Sequence, residues 1–551
     1  MNSRILFLTL IFAACPGRQT GTVDSDSLPP TPTTCDGSDK VEVTVTIAPY
    51  VQWVTTESAW IVWETDGGTE SRVDWGTDET LGEFACGELV PVLPGGDPLV
   101  AATLVHEVQL SELEPSTTYY YRSQTGATTG SINHFQTAPL TGDEAPTRLV
   151  AISDSQRDDS NPQKLQEVID DGVIDYIRGN YGADLATELD LVLVTGDLVD
   201  NGWLLEEWQE EFFGPSAALM AEVPFYPVFG NHEGGTPFFQ QYFHLPDDGD
   251  TEHYYTIDHS NVRIVGLDSN LGWNREAQLE WLDAVLARTC ADTDIDFLFA
   301  QCHHPWRSET WLTGESEWSG EVVARLEQFS TTCGKPSIHF FGHTHSYSRG
   351  QSRDHQHLMV NVASAGGALD YWGAHTQTDY DEFTVSRGSH GFVFVEVQAG
   401  DSPEFTMRRL SRGTPDSPLD NEETDKLTIR QSNVAPAAPV ADDPGTITCG
   451  TTPTFSASPF SDSDGNAHQG THWQVAADCK AFSKPIVERW RQRHNWISGV
   501  DLQANDNLTD EPFADLMGNL AQQVCFRVRY RDDGLLWSDW STGRSVAIEG
   551  C

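Results

Sequence analysis

His343 and His345 stand two positions apart, directly after the apolar run IHFF and Gly342. The apolar run predicts a buried strand, and a glycine at its end lets the backbone turn sharply. In extended backbone the side chains of residues i and i+2 point to the same side, so both imidazoles can face one point. Paired imidazoles of this kind are typical of a metal site, although a histidine pair also occurs by chance in loops.

Four other apolar runs are each followed by residues whose side chains can bind a metal ion. They deliver Asp154-Ser155-Gln156 after RLVAIS, Gly196-Asp197 after DLVLVT, Gly230-Asn231-His232-Glu233 after FYPVF, and His303-His304 after DFLFAQC. Each motif alone is more typical of a turn or a loop than of a metal ligand. Because ligands of α/β sheets gather where strands end at their carboxyl edge, five such strand ends in one chain predict a shared site.

The predicted site offers carboxylate, amide and imidazole ligands without a thiolate, which suits iron, zinc or manganese. The number of ligands exceeds the needs of one ion. Two ions about 4 Å apart, bridged by a shared carboxylate, would use all of them and are suited to in-line displacement at phosphorus. The ligand types therefore predict a binuclear metal centre that acts on phosphate esters.

The elements that must position these residues differ along the chain. Residues 41–140 read as short alternating strands with Gly, Pro and Asp turns, and predict an antiparallel β-sandwich of the fibronectin type III kind. Residues 145–410 alternate apolar strand-like runs with helix-like stretches, and predict an α/β layered domain. Composition predicts a linker over 411–440 and a second all-β, fibronectin-like domain over 441–551.

The motif order Asp…Gly-Asp…Gly-Asn-His-Glu…His…Gly-His-x-His resembles that of the calcineurin-like metallophosphoesterase superfamily. A fibronectin-like domain directly before it is similar to the arrangement in purple acid phosphatases. Further local matches are HHPW (303–306), GHTHSYSR (342–349), YYTIDHSNVRIVGLDS (254–269) and ASAGGALDYW (363–372). The resemblance covers residues 41–410. It implies a multidomain α/β protein whose central metallophosphoesterase β-sandwich is flanked by helices, with all-β domains before and after it.

The resemblance also implies a role for each motif residue. Asp197 would bridge both ions, Asp154 and His345 would bind the first ion, and Asn231, His303 and His343 would bind the second. His232 would bind the phosphate by a hydrogen bond and protonate the leaving oxygen, without binding metal. His304 is a candidate substrate contact. The nucleophile would be a metal-bound hydroxide, because two cations lower the pKa of bound water toward neutrality.

The sequence departs from the family pattern at two positions. The superfamily commonly has Asp-x-His in its first motif, where this chain has Gln156. Purple acid phosphatases place a tyrosine three residues after the Gly-Asp aspartate, where this chain has Asp200. The first ion therefore lacks its usual extra ligand, and the protein should not be purple. The carbonyl oxygen of Gln156, the carboxylate of Asp200 or a water could take this position, and we favour Gln156.

The chain is strongly acidic, with 32 basic and 83 acidic residues and a formal net charge of −51. A surface of this charge repels nucleic acid and anionic membranes, which excludes nucleic acid as a structural partner. The expected ligand is a small phosphate ester. The sequence does not define an oligomeric state.

The first residues, MNSRILFLTLIFAAC, predict export. Residues 1–15 combine Arg4 with an apolar stretch too short to span a bilayer, as in a secretory signal peptide. Cys15 closes a segment that resembles a bacterial lipoprotein cleavage site, so it is a candidate for lipid attachment, with plain secretion as the alternative. Residues 16–40 are rich in Pro, Thr, Ser and Asp and predict a flexible tether. The protein is therefore expected to be secreted or anchored to the cell envelope, with membrane contact only through a lipid.

The ten cysteines agree with export. Without Cys15 the number is odd, so one should be free. Grouping by domain suggests the pairs Cys35–Cys86 and Cys290–Cys333, and pairing of Cys449, Cys479, Cys525 and Cys551 among themselves. Cys302 is left over and is expected to be a buried packing residue.

Together these features predict an exported, acid phosphatase-like binuclear-metal enzyme, with iron and either zinc or manganese as the ions. Phosphomonoesters are favoured over phosphodiesters. Two alternatives stay open, a phosphodiesterase or nucleotidase of the same superfamily and a non-catalytic surface binding protein. Six core ligand positions and His232 are retained, which favours an enzyme.

Overall fold

The computed structural model of the protein describes residues 35, 40–92, 103–246, 252–503, 507–514, 516 and 523–550. The predicted signal peptide, Cys15 and all of the predicted tether except residues 35 and 40 lie outside these ranges. Within the described ranges, no helix is long and apolar enough to cross a membrane.

The segment before residue 140 consists of antiparallel strands in two sheets. Its strands are β1 (Val45–Gln52), β2 (Ser58–Thr65), β3 (Arg72–Gly76), β4 (Glu83–Cys86), β5 (Glu88–Val92), β6 (Thr103–Ser111), β7 (Thr118–Thr125), β8 (Thr128–Thr129) and β9 (Asn133–Gln136). One sheet has the order β1-β2-β6-β5 and the other β4-β3-β7-β8, with β9 paired to β7. Trp63, Tyr121 and Phe135 meet in one core between them. The structure thus has the strands that alternation predicted, and the fibronectin type III assignment stays a prediction.

Two larger sheets form the centre of the chain. Their strands in this region are β10 (Thr147–Ile152), β11 (Leu191–Val194), β12 (Phe225–Pro227), β13 (Tyr255–His259), β14 (Val262–Gly266), β15 (Phe297–Gln301), β16 (Ser337–Phe341), β17 (Tyr347–Gln351), β18 (His357–Val362), β19 (Phe383–Arg387), β20 (His390–Gln398), β21 (Glu404–Thr414) and β22 (Ser417–Arg430). The six-stranded sheet has the order β12-β11-β10-β20-β21-β22, and the second sheet begins β13-β14-β15-β16-β18-β17-β19. Strands β11, β15 and β16 are buried at every position, which explains why they read as continuous apolar runs.

The two central sheets pack face to face. Phe297 and Phe299 of β15 lie edge-on to Phe405 of β21, with ring centroids 5.2 and 5.3 Å apart. Helices α1 (Lys164–Glu167), α2 (Asp175–Asn180), α3 (Leu185–Glu188), α4 (Leu205–Glu207), α5 (Gly214–Met220), α6 (Phe238–Tyr242), α7 (Arg275–Ala291) and α8 (Glu317–Cys333) connect the strands. Leu282 of α7 and Leu326 of α8 pack with Leu298 of β15 on the outer face of the second sheet. The mixed α/β arrangement predicted for this region is confirmed.

The prediction of a linker over 411–440 is wrong for much of its length. Residues Ser417–Arg430 form β22, which pairs with β21 at the edge of the six-stranded sheet. Asp425 in this strand accepts hydrogen bonds from Arg349 at 2.6 and 2.9 Å and from Tyr347 at 2.6 Å. The polar composition suggested a linker, but it also suits an edge strand that exposes one face to solvent.

The last segment is also built of strands. They are β23 (Ile447–Thr448), β24 (Thr454–Ser456), β25 (His468–Ala476), β26 (Val487–Gln492), β27 (Trp496–Ile497), β28 (Val500–Asp501), β29 (Asp510–Pro512), β30 (Gln523–Asp532) and β31 (Arg544–Glu549). Five of them form a sheet of order β23-β31-β30-β25-β26, and β24 pairs with β29. Strand β27 pairs instead with β19, so this segment extends the second central sheet to nine strands. That extension was not anticipated from the sequence.

The disulfides follow the grouping predicted from the sequence. Cys35 is bonded to Cys86, Cys290 to Cys333, and Cys479 to Cys525. Cys449 is also disulfide-bonded, and Cys551 lies outside the described residues. Cys302 is free and buried, as predicted.

Candidate metal centre

The predicted ligands come together where strands of both central sheets end. Asp154, Asp197 and Asn231 follow β10, β11 and β12 of the six-stranded sheet, His303 and His343 follow β15 and β16 of the nine-stranded sheet, and His345 lies in the turn between β16 and β17. We call these six residues the ligand cluster. One ligand atom each of Asp154, Asp197 and His303 lies within 4.8 Å of the other two, although the two sheets contribute them separately.

The backbone turns sharply at three members of the ligand cluster. Asp154, Asp197 and His343 have φ values of 54°, 51° and 70°. Left-handed backbone costs a residue with a side chain about 1–3 kcal/mol, and Asp and His are among the types that adopt it most readily. The surrounding strands must compensate for this cost, so the turned conformation is a built feature that directs the side chains to the cluster.

Two glycines permit the close approach of neighbouring loops. A Cβ atom on Gly230 would lie 2.2 Å from Oδ1 of Asp197, and one on Gly342 would lie 2.5 Å from Oδ2 of Asp154. Both distances are far below van der Waals contact, so only glycine fits at either position. The glycines that precede Asn231 and His343 in the sequence motifs therefore make room for the carboxylates.

Short contacts divide the ligand cluster into two groups. Nε2 of His303 lies 3.0 Å from Oδ2 of Asp197, 3.1 Å from Oδ1 of Asn231 and 3.2 Å from Nδ1 of His343. Nε2 of His345 lies 3.1 Å from Oδ1 of Asp154. The two groups correspond to the two sets of ligands that the family resemblance implied, with Asp197 close to both.

Hydrogen bonds from outside the cluster orient two of its imidazoles. Nδ1 of His303 donates to the carbonyl of Thr195 at 2.9 Å, and Nδ1 of His345 donates to the carbonyl of Ala368 at 2.7 Å. A carbonyl only accepts, so each Nδ1 carries a proton and the neutral form of each ring has a free lone pair on Nε2. Metal-binding histidines are typically held in this way.

Electrostatic interactions within the ligand cluster stabilise the charged forms of His303 and Asp197. Burial alone would lower the pKa of His303, but the charge of Asp197 and the hydrogen bond to it raise that pKa to about 9. Burial alone would raise the pKa of Asp197, yet the charges of His303 and His232 lower it below its ordinary value. A buried carboxylate is thus kept anionic by a neighbouring positive charge, which a cation at the same place would also provide.

The structure separates the two candidates for the extra ligand. Gln156 is buried, its Nε2 lies 3.2 Å from Nε2 of His345, and its Oε1 accepts no hydrogen bond within the described part of the chain. A buried amide oxygen without a donor is available to a cation or a water. Asp200 has a 63% exposed carboxylate whose Oδ1 lies 3.7 Å from Nδ1 of His232. Of the two, only Gln156 contacts the ligand cluster.

His232 lies at the mouth of the cluster. Its Nε2 is 3.9 Å from Oδ2 of Asp197, and its side chain is 33% exposed. Nδ1 donates to the carbonyl of Asp200 at 2.5 Å, which leaves Nε2 directed away from that loop. Burial alone would lower the pKa of His232, but the charge of Asp197 and the bond to the Asp200 carbonyl raise it above its ordinary value. His232 is therefore both accessible and easily protonated.

His304 lies beside His303 and His343. Its Nδ1 is 2.8 Å from Oγ of Ser269, and its ring centroid is 4.5 Å from that of His343. Burial, reinforced by the charges of His303 and His343, lowers the pKa of His304 to about 2. One ligand atom of each of these three histidines lies within 4.8 Å of the other two, so His304 is placed to contact either an ion or a substrate.

Glu233 has a positioning role that the sequence motifs did not reveal. Its buried carboxylate accepts hydrogen bonds from the backbone N–H groups of Asp197 (3.1 Å), Leu198 (2.8 Å) and Gly230 (2.7 Å). Burial and the charge of Asp197 raise the pKa of Glu233 to about 7. This carboxylate ties together the loops that carry Asp197 and Asn231. The only signal in the sequence was the glutamate that closes Gly-Asn-His-Glu.

Comparison with known proteins agrees with this geometry. Residues 147–347 match the family model described as calcineurin-like phosphoesterase. The chain is 25% identical over 284 residues to purple acid phosphatase 15 of Arabidopsis thaliana, covering 45% of this chain and 49% of the relative. It is 31% identical over 130 residues to a probable glycerophosphodiester phosphodiesterase of Arcobacter nitrofigilis, covering 22% of this chain and 44% of the relative. The chain thus spans about half the length of each of these two relatives.

Among solved structures, a purple acid phosphatase from yellow lupin (Lupinus luteus) superposes with a TM-score of 0.55 at 18% identity. The match covers 70% of this chain and 74% of the lupin chain. At this level of identity the match shows a shared fold. Residues 147–347 therefore form a calcineurin-like metallophosphoesterase domain, within a sheet-rich α/β chain that resembles a purple acid phosphatase.

Proposed function

We propose that the protein is an exported phosphoesterase that uses two metal ions to hydrolyse small phosphate esters. The observation that carries this proposal is the convergence of Asp154, Asp197 and His303, whose ligand atoms lie within 4.8 Å of one another. Their neighbours Asn231, His343 and His345 complete a donor set of carboxylate, amide and imidazole. This set suits iron together with zinc or manganese.

The residues present fit a pair of cations. Oε1 of Gln156 has no donor, and Nε2 of His303 and His345 carries the lone pair in the neutral form of each ring, so a cation that displaces the Nε2 protons could bind all three atoms. Asp154, His345 and Gln156 would hold one ion, and Asn231, His303 and His343 the other, with Asp197 between them. When bound, such a pair supplies an activated water and neutralises the charge of the phosphate.

The chain's own groups would then control the proton and the orientation of the ester. His232, with its raised pKa and partly exposed ring, would donate a proton from Nε2 to the leaving oxygen. Its hydrogen bond to the Asp200 carbonyl fixes the ring for this transfer. Glu233 would keep the loops of Asp197 and Asn231 at a fixed separation, as its three backbone hydrogen bonds indicate.

We favour phosphomonoesters, in line with the resemblance to purple acid phosphatases. A phosphodiesterase is the second candidate, because the stretch that matches the probable glycerophosphodiester phosphodiesterase has the higher identity, 31% against 25%. A non-catalytic binding protein is less favoured, because all six residues of the ligand cluster are retained together with His232.

Export is part of the proposal. The described residues contain the disulfides Cys35–Cys86, Cys290–Cys333 and Cys479–Cys525. Disulfides persist mainly in oxidising compartments outside the cytosol. Residues 1–15 would direct secretion, and Cys15 would carry a lipid that anchors the protein to the cell envelope through residues 16–40.

The function is tested by incubating metal-loaded protein with an aryl phosphomonoester and with an aryl phosphodiester. Hydrolysis is measured as the amount of phenol released. Turnover of either ester that is lost on chelation and restored by iron with zinc or manganese is the expected result. Failure to hydrolyse both esters in every metal combination would overturn the enzyme proposal.

A further inference from the structure

An open cleft of about 820 Å³ adjoins the ligand cluster. Asn231 and His304 form the end of the cleft that faces the metal centre. An ester whose phosphate sits at the ligand cluster has this space available for its organic group. The chemistry of the cleft walls therefore bears on which ester fits.

One wall of the cleft carries apolar side chains that face solvent. Leu271 is 86% exposed and Trp273 is 37% exposed. The buried rings of Phe229 and Trp318 line the cleft behind them. A single exposed leucine is common on protein surfaces. A leucine beside a tryptophan in a cleft next to a metal centre is typical of a binding site for an apolar group.

The loop that presents Leu271 and Trp273 is held in place. The ring of Trp273 stacks on His253 with centroids 3.8 Å apart, and His253 stacks on Phe229 at 4.4 Å. Nε2 of Gln278 donates to the carbonyl of Trp273 at 3.1 Å. The apolar wall is thus preformed, which lowers the entropic cost of binding a ligand against it.

The same loop is tied to the metal-ligand loop. Nδ2 of Asn270 donates to the carbonyls of Phe229 at 3.3 Å and Gly230 at 3.2 Å, just before Asn231. The apolar wall and the ligand cluster therefore have a fixed relation, and a group bound on one is oriented toward the other.

Charged side chains beside the cleft are engaged with other groups of the protein. Glu315 and Glu317 line it together with a single arginine, Arg275. The guanidinium of Arg275 donates to the carbonyls of Ser269 at 2.5 Å and Asn270 at 3.3 Å, so its donors support the loop. Glu315 is in turn paired with Arg307 at 3.4 Å, so these charged groups support the walls of the cleft.

We infer that the cleft selects phosphate esters whose organic group is apolar, with Leu271 and Trp273 as the specificity-determining contacts. This inference rests on the proposed function and names its substrate class. Longer alkyl or aryl groups would bury more surface against the wall. Complete burial of one methylene is worth about a fourfold gain, and an open cleft should yield roughly twofold per methylene.

The experiment measures kcat/KM of the metal-loaded full chain for n-alkyl phosphates from ethyl to hexyl, by release of inorganic phosphate. We expect a rise of roughly 16-fold over these four methylenes, at about twofold for each. Hexyl phosphate should also be a better substrate than hexane-1,6-diol bisphosphate, because the second phosphate would have to lose water against the apolar wall.

Three variants connect the trend to the wall. Leu271→Ser should flatten the dependence on chain length, and Leu271→Met should retain it. The matched control is Leu502→Ser, which changes a 53% exposed leucine in the C-terminal segment and should leave the dependence as in the wild type. Because Leu271 is almost fully exposed, Leu271→Ser should fold normally.

The outcomes separate the inference from the proposed function. The inference alone would be overturned if the protein hydrolyses aryl esters but its kcat/KM for alkyl phosphates does not depend on chain length. It would also be overturned if that dependence on chain length persists in Leu271→Ser. A metal-loaded protein that hydrolyses no aryl or alkyl ester would overturn the proposed function and the inference together.

Discussion

Nδ1 of His343 lies 3.2 Å from Nε2 of His303, although the two histidines follow different strands and are forty positions apart. Nδ1 of His303 is already committed as a donor to the Thr195 carbonyl. In its neutral form His303 therefore presents a lone pair toward His343, beside the carboxylate of Asp197 at 3.0 Å. Nitrogen and oxygen lone pairs directed at one point favour a cation there.

Replacement of Asp197 tests the bridging position. Asp197→Asn should lower kcat by roughly three orders of magnitude or more, because a neutral amide is a poor bridge between two cations. Turnover is measured on the aryl ester that the wild type hydrolyses. Asp200→Asn is the matched control, since it neutralises an exposed carboxylate 3.7 Å from Nδ1 of His232, and it should retain both ions. Near-normal turnover by Asp197→Asn would show that the bridge is wrongly assigned.

Removal of each histidine of the Gly-His-Thr-His motif tests the division of ligands. His343→Ala and His345→Ala should each reduce the metal content from about two ions to about one, because the two imidazoles lie in different contact groups. Metal content per folded chain is measured by elemental analysis. The assignment would be contradicted if either variant kept both ions with wild-type affinity.

His232 should act on the substrate and leave the metals in place. His232→Ala should keep both ions and lose about 10²–10⁴-fold in rate on esters with poor leaving groups, with a smaller loss on good ones. Rates are measured for aryl and alkyl esters of graded leaving-group pKa, beside metal content. A variant that loses metal as His343→Ala does would instead identify His232 as a ligand.

Glu233 should position the ligands without contacting the substrate. Glu233→Gln replaces one carboxylate oxygen by an NH2 group, which donates and cannot accept. At least one of the three buried N–H groups therefore loses its partner, at a cost of about 1–3 kcal/mol. We expect weaker metal binding at a temperature where the variant is folded, measured by competition with a chelator. Glu64→Gln is the control, because Glu64 is a buried carboxylate of the N-terminal segment that accepts from Tyr242 at 2.6 Å. Equal loss of metal affinity in both variants would indicate a general loss of stability.

Cys15 provides the test of anchoring. The mature protein should begin at Cys15 and partition into the detergent phase, and Cys15→Ser should abolish that partition. The N-terminus is identified by mass spectrometry of the protein isolated from its own cell envelope. A mature N-terminus at another residue would remove lipidation and leave secretion.

The sequence predicted which residues come together at the strand ends better than it predicted the edges of the fold. Asp154 and His303 of the ligand cluster each lie two residues after a buried apolar strand, so local pattern and topology agree. Strand β22 was misjudged, because an edge strand with one exposed face has the composition of a linker. The pairing of β27 with β19 could not be predicted, since two residues carry too weak a local signal for a contact more than a hundred positions away.

Positioning residues were also beyond the reach of the sequence. The hydrogen bonds of Glu233 to Asp197 and Leu198 cross 36 and 35 positions and involve backbone groups, which leave no trace in a motif. The cleft wall at Leu271 and Trp273 likewise depends on the stack of Trp273, His253 and Phe229, which forms only in the folded chain.

The most direct measurement is the number of metal ions per chain in protein purified without chelators and in protein reconstituted with iron, zinc or manganese. Elemental analysis against protein concentration should give two ions per chain in the wild type and fewer in Asp197→Asn. A wild-type protein that holds no ion, or only one, after reconstitution with each metal and with iron–zinc and iron–manganese mixtures would contradict a binuclear centre.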